Sequence, residues 1–149
     1  YDFMSVALEQ AKLAFSEDEI PIGAVVVRGN NIIGIGRNMV EQKNNPLYHA
    51  ELVAINEASK TIKDKYLYDC DLYVTLEPCV MCTGAIINSR LRNLYFGAFQ
   101  PKFGACGSVF NIPEFNKLNH KINVFSGIFS DQSEELLAEY FIKKRQINR

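Results

Sequence analysis

Imidazole is scarce in this sequence, and sulfur hardly less so: the 149 residues contain two histidines, His49 and His120, and four cysteines, Cys70, Cys79, Cys82 and Cys106. Metal or nucleophilic chemistry must therefore be assembled from very few side chains. Long apolar runs are also missing. The longest purely apolar stretch, around Ala24 to Val27, is far below the roughly 20 residues that span a bilayer, which excludes a transmembrane helix. The opening Tyr1-Asp2-Phe3-Met4 lacks the basic and apolar regions of a secretory leader. We therefore expect a cytoplasmic protein, its start trimmed by a few residues because no methionine stands first. In that compartment thiols stay reduced, so the cysteines read as metal or redox candidates rather than as two disulfides. Nor is there an excess of positive charge. A formal net charge of −1 and a pI near 6.2 exclude nucleic-acid binding through a global basic field and leave only a local patch.

What is present is a chain 48% hydrophobic and 22% charged, which fits one globular domain over residues 1–149 with a substantial core. Asp2 can cap a helix reaching about Phe15, with Phe3, Val6, Leu13 and Ala14 on one face. Ile22 to Arg28 and Ile32 to Arg37, joined by Gly29-Asn30-Asn31, predict a β-hairpin. A polar loop from Asn38 leads to a helix from about Tyr48 to Thr61, with Leu52, Val53, Ile55 and Ala58 buried. Leu72 to Leu76 reads as a strand, Pro78 to about Ser89 as a helix and Asn93 to Ala98 as a strand, which implies a parallel crossover pair. Phe99 to Asn119 has no clean period and reads as loop with one short helical turn. Lys121 to Phe125 can form a last strand, and a closing helix from about Asp131 to Gln146 would pack Leu136, Leu137, Tyr140 and Phe141 inward. The pattern predicts an α/β protein, a three-layer α/β/α sandwich around a mixed sheet of about five strands.

Chemistry concentrates in His49-Ala50-Glu51 and Pro78-Cys79-Val80-Met81-Cys82. Two thiolates three positions apart at the start of a helix can face one point. A closed structural zinc site would need a fourth ligand from Cys70, Cys106, His120 or a carboxylate, none of which stands in a second paired motif. Glu51 lies two positions from His49, and such neighbours in a helix point about 200° apart. Both reach one centre only if it lies off the helix end, so we expect the metal between two helix N-termini, one near His49 and one near Cys79. Three protein ligands, His49, Cys79 and Cys82, leave zinc a fourth position for water or hydroxide. Glu51 is then the candidate proton shuttle, or, more plainly, an acid stabilised by the helix dipole.

His-x-Glu followed by Pro-Cys-x-x-Cys is the zinc-deaminase signature. Longer strings carry a closer resemblance: Pro21-Ile22-Gly23-Ala24-Val25, Asn38, Tyr73 to Cys82, Gly104-Ala105-Cys106-Gly107-Ser108, Leu118-Asn119-His120 and, in the last helix, Tyr140-Phe141 and Lys144-Arg145-Gln146. Over nearly its whole length the chain resembles the bacterial tRNA-specific adenosine deaminases, of cytidine-deaminase-like fold. The resemblance implies conversion of adenosine to inosine at the wobble position of a tRNA anticodon by a homodimer with one zinc per subunit. It implies His49, Cys79 and Cys82 as ligands and Glu51 as shuttle. Asn38 would contact the base, Ile22 would wall it and Ala50 would offer a backbone group. Asn38 as a turn cap and Ile22 as a core strand residue are the plainer alternatives. Where the family often has an aspartate, this chain has Gln100, which can both donate to and accept from a ribose hydroxyl. Lys102 could touch phosphate. Lys143, Lys144, Arg145 and Arg149 could grip the anticodon stem, or simply solvate a helix end. A small-molecule deaminase of guanine, cytosine or a nucleoside, and a zinc-stabilised interaction module, remain the competing expectations.

Overall fold

The computed structural model describes residues 2–148; the expectation for Arg149 lies outside them. Its elements are α1 (Phe3–Ser16), β1 (Gly23–Arg28), β2 (Asn31–Arg37), α2 (Val40–Lys43), α3 (Ala50–Ile62), β3 (Cys70–Leu76), α4 (Val80–Asn88), β4 (Asn93–Ala98), a single 3₁₀ turn at Ile112–Glu114, β5 (Asn123–Phe125) and α5 (Ser130–Ile147). The five strands form one mixed sheet in the order β2-β1-β3-β4-β5. β1 runs antiparallel to β2 and β3, whereas β3, β4 and β5 are parallel. The crossover through α4 is the one expected from strand, helix, strand. The hairpin closes where Arg28 pairs with Asn31, and Gly29 takes the left-handed conformation (φ 61°) that the turn needs.

Helices cover both faces of the sheet. On one side, Ala24, Val26, Leu72, Val74, Leu94 and Phe96 meet Ala50, Ala54, Ile55 and Ala58 of α3 and Ile86 and Ile87 of α4. On the other, Val25 and Val27 pack with Phe3 of α1, and β1, buried on both faces, is apolar along nearly its whole length. The small residues have a reason. A side chain at Gly34 or Gly36 of β2 would strike the backbone of α3, so these glycines let α3 lie directly on the hairpin. Asp2 caps α1 as expected, with its carboxylate accepting from Ser5 N at 3.4 Å.

Four expectations are corrected. Leu13 is exposed, because the stripe of α1 that meets the sheet is Met4, Ala7, Leu8, Ala11 and Ala14. Leu52 and Val53 are only half-buried, and Ala50 and Ala54 take the inner positions of α3 because the hairpin lies so close. The polar segment after Asn38 contains α2, whose first N–H groups find a remote acceptor: the buried Glu19 carboxylate takes Glu41 N at 3.0 Å and Gln42 N at 2.8 Å. Phe141 is 45% exposed, because that face of α5 borders a cavity rather than the core. Among the described residues no helix is long and apolar enough to cross a membrane.

Candidate active site

His49 is the N-cap of α3 and Cys79 the N-cap of α4, each in extended backbone just before its helix. The two helices therefore aim their N-terminal, partially positive ends at one point. His49 Nδ1 lies 3.7 Å from Cys79 Sγ and 3.4 Å from Cys82 Sγ, and the three ligand atoms all stand within 4.8 Å of one another. Zn–S bonds of about 2.3 Å and Zn–N bonds of about 2.0–2.1 Å in a tetrahedron put ligand atoms about 3.6 Å apart. The triangle thus fits zinc. Among the described residues it is the one such group of His, Cys, Asp or Glu. Cys70 bonds the Tyr68 carbonyl, Cys106 pairs with Thr83, and His120 Nε2 donates to the Leu91 carbonyl at 2.7 Å. Among the described residues, none of these three belongs to the group.

Charge is arranged to match. The Cys79 thiol is held down to about 4, first by its hydrogen bond with Cys82 and next by His49, while the same sharing and burial push Cys82 upward. The His49 imidazole is raised by its bond with Cys79. Glu51, in the first turn of α3 and 4% exposed, is raised to about 7. Burial is the largest cause, opposed by backbone hydrogen bonding and by His49. A carboxyl poised near neutrality beside this triangle can take up and release a proton at physiological pH.

His49, Glu51 and Cys79 floor a cavity of about 640 Å³, within the size range of small-molecule sites. Ile22, Asn38, His49, Glu51, Cys79, Gln100 and Lys144 all line it. Asn38 plays the capping part and faces the cavity too: its Oδ1 accepts from Ala50 N at 3.0 Å, securing the start of α3. The Ala50 N–H is engaged by that bond. Ile22 is half-buried and also packs on the main core. Lys102 and Arg145 are exposed and do not line the cavity.

α5 forms one wall, with Leu137, Tyr140, Phe141, Lys144 and Asn148 on the face turned to the cavity. The Tyr140 hydroxyl holds it there by donating to the Asp18 carbonyl at 3.4 Å. Several further lining residues were given no site role in the sequence reading, among them Glu19, Glu77 and Phe103. Glu77 adjoins the cysteine motif, which is a local signal; Glu19 and Phe103 are brought in by long-range packing alone.

A family model of MafB19-like deaminases matches residues 1–145, which makes the molecule a deaminase, and its α/β architecture is that of the cytidine-deaminase-like fold. Among named relatives, the tRNA-specific adenosine deaminase of Rickettsia bellii is 49% identical over 146 residues, covering 95% of this chain and 99% of that protein. That of Aquifex aeolicus is 43% identical, covering 96% and 94%. A solved structure from work on A-to-I editing by tRNA:A34 deaminases superposes with a TM-score of 0.88 at 40% identity, over 91% of this chain and 98% of that one. A guanine deaminase from Nitrosomonas europaea gives 0.76 at 29% identity, over 92% and 81%. The chain belongs to the tRNA-specific adenosine deaminase family.

Proposed function

We propose that this chain, as one domain over residues 1–149, hydrolyses adenosine to inosine at the wobble position of a tRNA anticodon. The observation that carries the reading is the convergence of His49, Cys79 and Glu51, with Cys82 beneath them, on the floor of a cavity walled by Ile22, Asn38 and the basic end of the last helix. Zinc held by those three ligands supplies the Lewis acidity that brings the pKa of water to about 7. Glu51 takes a proton from the attacking water and returns it to the departing exocyclic nitrogen. A C6–O bond forms and the C6–N bond breaks; one water proton leaves on the nitrogen as ammonia, the other stays on ring N1, and the water oxygen becomes the inosine carbonyl. Asn38 and Ile22 hold the base, with Ala50 close by in the backbone; Gln100 and Lys102 face the ribose and phosphate of the RNA. Lys144 and Arg145 meet the anticodon stem-loop, which therefore needs no global positive charge. A cytoplasmic homodimer completes the proposal, supported by the exposed apolar side chains Phe103, Val109, Phe110 and Phe115 after β4.

A second reading, deamination of a free purine, is favoured by the likeness to a guanine deaminase and by the net charge of −1. One assay separates them: purified zinc-loaded protein is offered an anticodon stem-loop with adenosine at the wobble position, free adenosine and free guanine, and inosine or xanthine formation is followed. We expect inosine in the stem-loop alone. Turnover of a free base or nucleoside with unmodified RNA would replace the first reading by the second.

A further inference from the structure

Glu77 is 2% exposed, and among the described residues no cation lies within ion-pair distance of its carboxylate. A carboxyl group buried in this way needs hydrogen bonds in place of its water. Here they do. Oε1 accepts from Gln100 N at 3.0 Å and from the Ser108 hydroxyl, while Oε2 accepts from Cys106 N and Ser108 N, each at 3.0 Å. Convergent backbone N–H groups of this kind form an anion nest, and the chain fills it with its own side chain.

Two further contacts tie this nest to the site. Gly104 packs so tightly on the carboxylate that a Cβ there would overlap it. Gly104 N in turn closes a turn onto the Gln100 carbonyl at 2.9 Å, with Phe103 at its tip, 65% exposed and lining the cavity. Glu77 thus grips both ends of the turn that presents Gln100 and Phe103. From the other direction, Glu77 N donates to the Ala98 carbonyl at 2.8 Å and Ala105 N to the Pro78 carbonyl at 2.9 Å, one residue before the metal ligand Cys79. One buried side chain therefore sets the spacing between the cavity floor and the wall formed by residues 100–108.

We propose that Glu77 is a positioning residue for substrate binding: it holds the Gln100–Ser108 loop in the shape that receives the nucleotide, and takes no part in the chemical step. The inference rests on the proposed deamination of RNA adenosine for its substrate, but not for its geometry. Glu77→Gln keeps the size of the side chain and puts an N–H₂ group against backbone donors, so at least one of them loses its acceptor.

The expected result is a KM for the stem-loop raised about 10-fold or more with kcat within about 3-fold of wild type, the pattern of lost uniform binding. Zinc should stay at one per chain, and amide exchange should speed up at Gln100, Cys106 and Ser108. Should Glu77→Gln fail to fold, Ser108→Ala removes only a hydroxyl from an exposed residue and should move KM and the same amides in the same direction, by a few-fold. Unchanged KM with unchanged amide exchange would overturn the proposal. So would a fall in kcat and zinc content at constant KM, since Glu77 would then serve the metal loop instead. If the wild type leaves RNA unmodified, the substrate reading fails separately. The KM comparison then moves to the purine it does deaminate, and the amide exchange still decides the role of Glu77.

Discussion

Glu51 is the side chain on which the proposed chemistry turns, and its surroundings make its replacement informative. It is buried in the first turn of α3 yet stands outside the His49–Cys79–Cys82 group that could hold a metal. Glu51→Gln should keep the fold and a full complement of zinc while inosine formation falls by about 10²–10⁴-fold, the usual weight of general acid–base catalysis. Metal analysis alongside the rate checks it: loss of zinc would place Glu51 among the ligands. Asn38 offers a complementary test, because one atom serves stability and the residue also faces the cavity. Asn38→Ala removes the acceptor of Ala50 N and should cost about 1 kcal/mol, a fall in Tm of about 2–4 °C at this chain length. Asn38→Asp keeps an acceptor at the start of α3 and should restore Tm, but it brings a second carboxylate towards Glu51 and should not restore turnover. Thermal melts and inosine assays on the pair separate the two roles.

α3 carries Glu51 and starts just after its N-cap His49, and its place is set by the absence of side chains on the strand beneath it. Gly34 faces the backbone of Ala54 and Ala58, and Gly36 faces that of Ala50 and Ala54. Gly36→Ala should therefore destabilise by about 1–3 kcal/mol and, by shifting the first turn of α3, reduce zinc occupancy as well. Gly84 on α4 is the control. Nothing stands within 4 Å of a Cβ added there, so Gly84→Ala should leave Tm unchanged or raise it through helix propensity. Equal losses in the two variants, by thermal melting, would mean that close approach of α3 is not what the β2 glycines provide. α5 shows the same dependence on context. Its apolar residues read as a core-facing stripe, yet Leu137, Tyr140 and Phe141 line the cavity.

For the molecule as a whole, a net charge of −1 leaves the proposed RNA binding to local cations. Lys144 lines the cavity, and Arg145 is exposed beside it on α5. Replacing both with alanine should weaken stem-loop binding and lower the slope of log K against log salt by up to about 2, since each phosphate contact contributes about 0.7–0.9. Binding isotherms across a salt series measure it, and an unchanged slope would return that helix end to solvent.

The local patterns that survive in any context were legible from residues alone. Alternating and continuous apolar runs placed the strands. Spacing placed Cys79 and Cys82 at one helix start, and the geometry of His49 and Glu51 pointed to a helix end; in the structure His49 and Cys79 are the N-caps of α3 and α4 and lie in one group with Cys82. These features depend on backbone periodicity, which neighbours in sequence settle. What required the tertiary structure was every contact between distant segments. Glu19 caps α2 across 22 residues, Glu77 gathers Cys106 and Ser108 from 29 and 31 residues away, and Phe141 turns to a cavity rather than the core. A lone buried carboxylate and an apolar helix face look the same in sequence whatever they meet. Their partners are chosen by how the sheet brings the chain together. The two short motifs therefore specify the chemistry, and the folded chain around them specifies what can reach it.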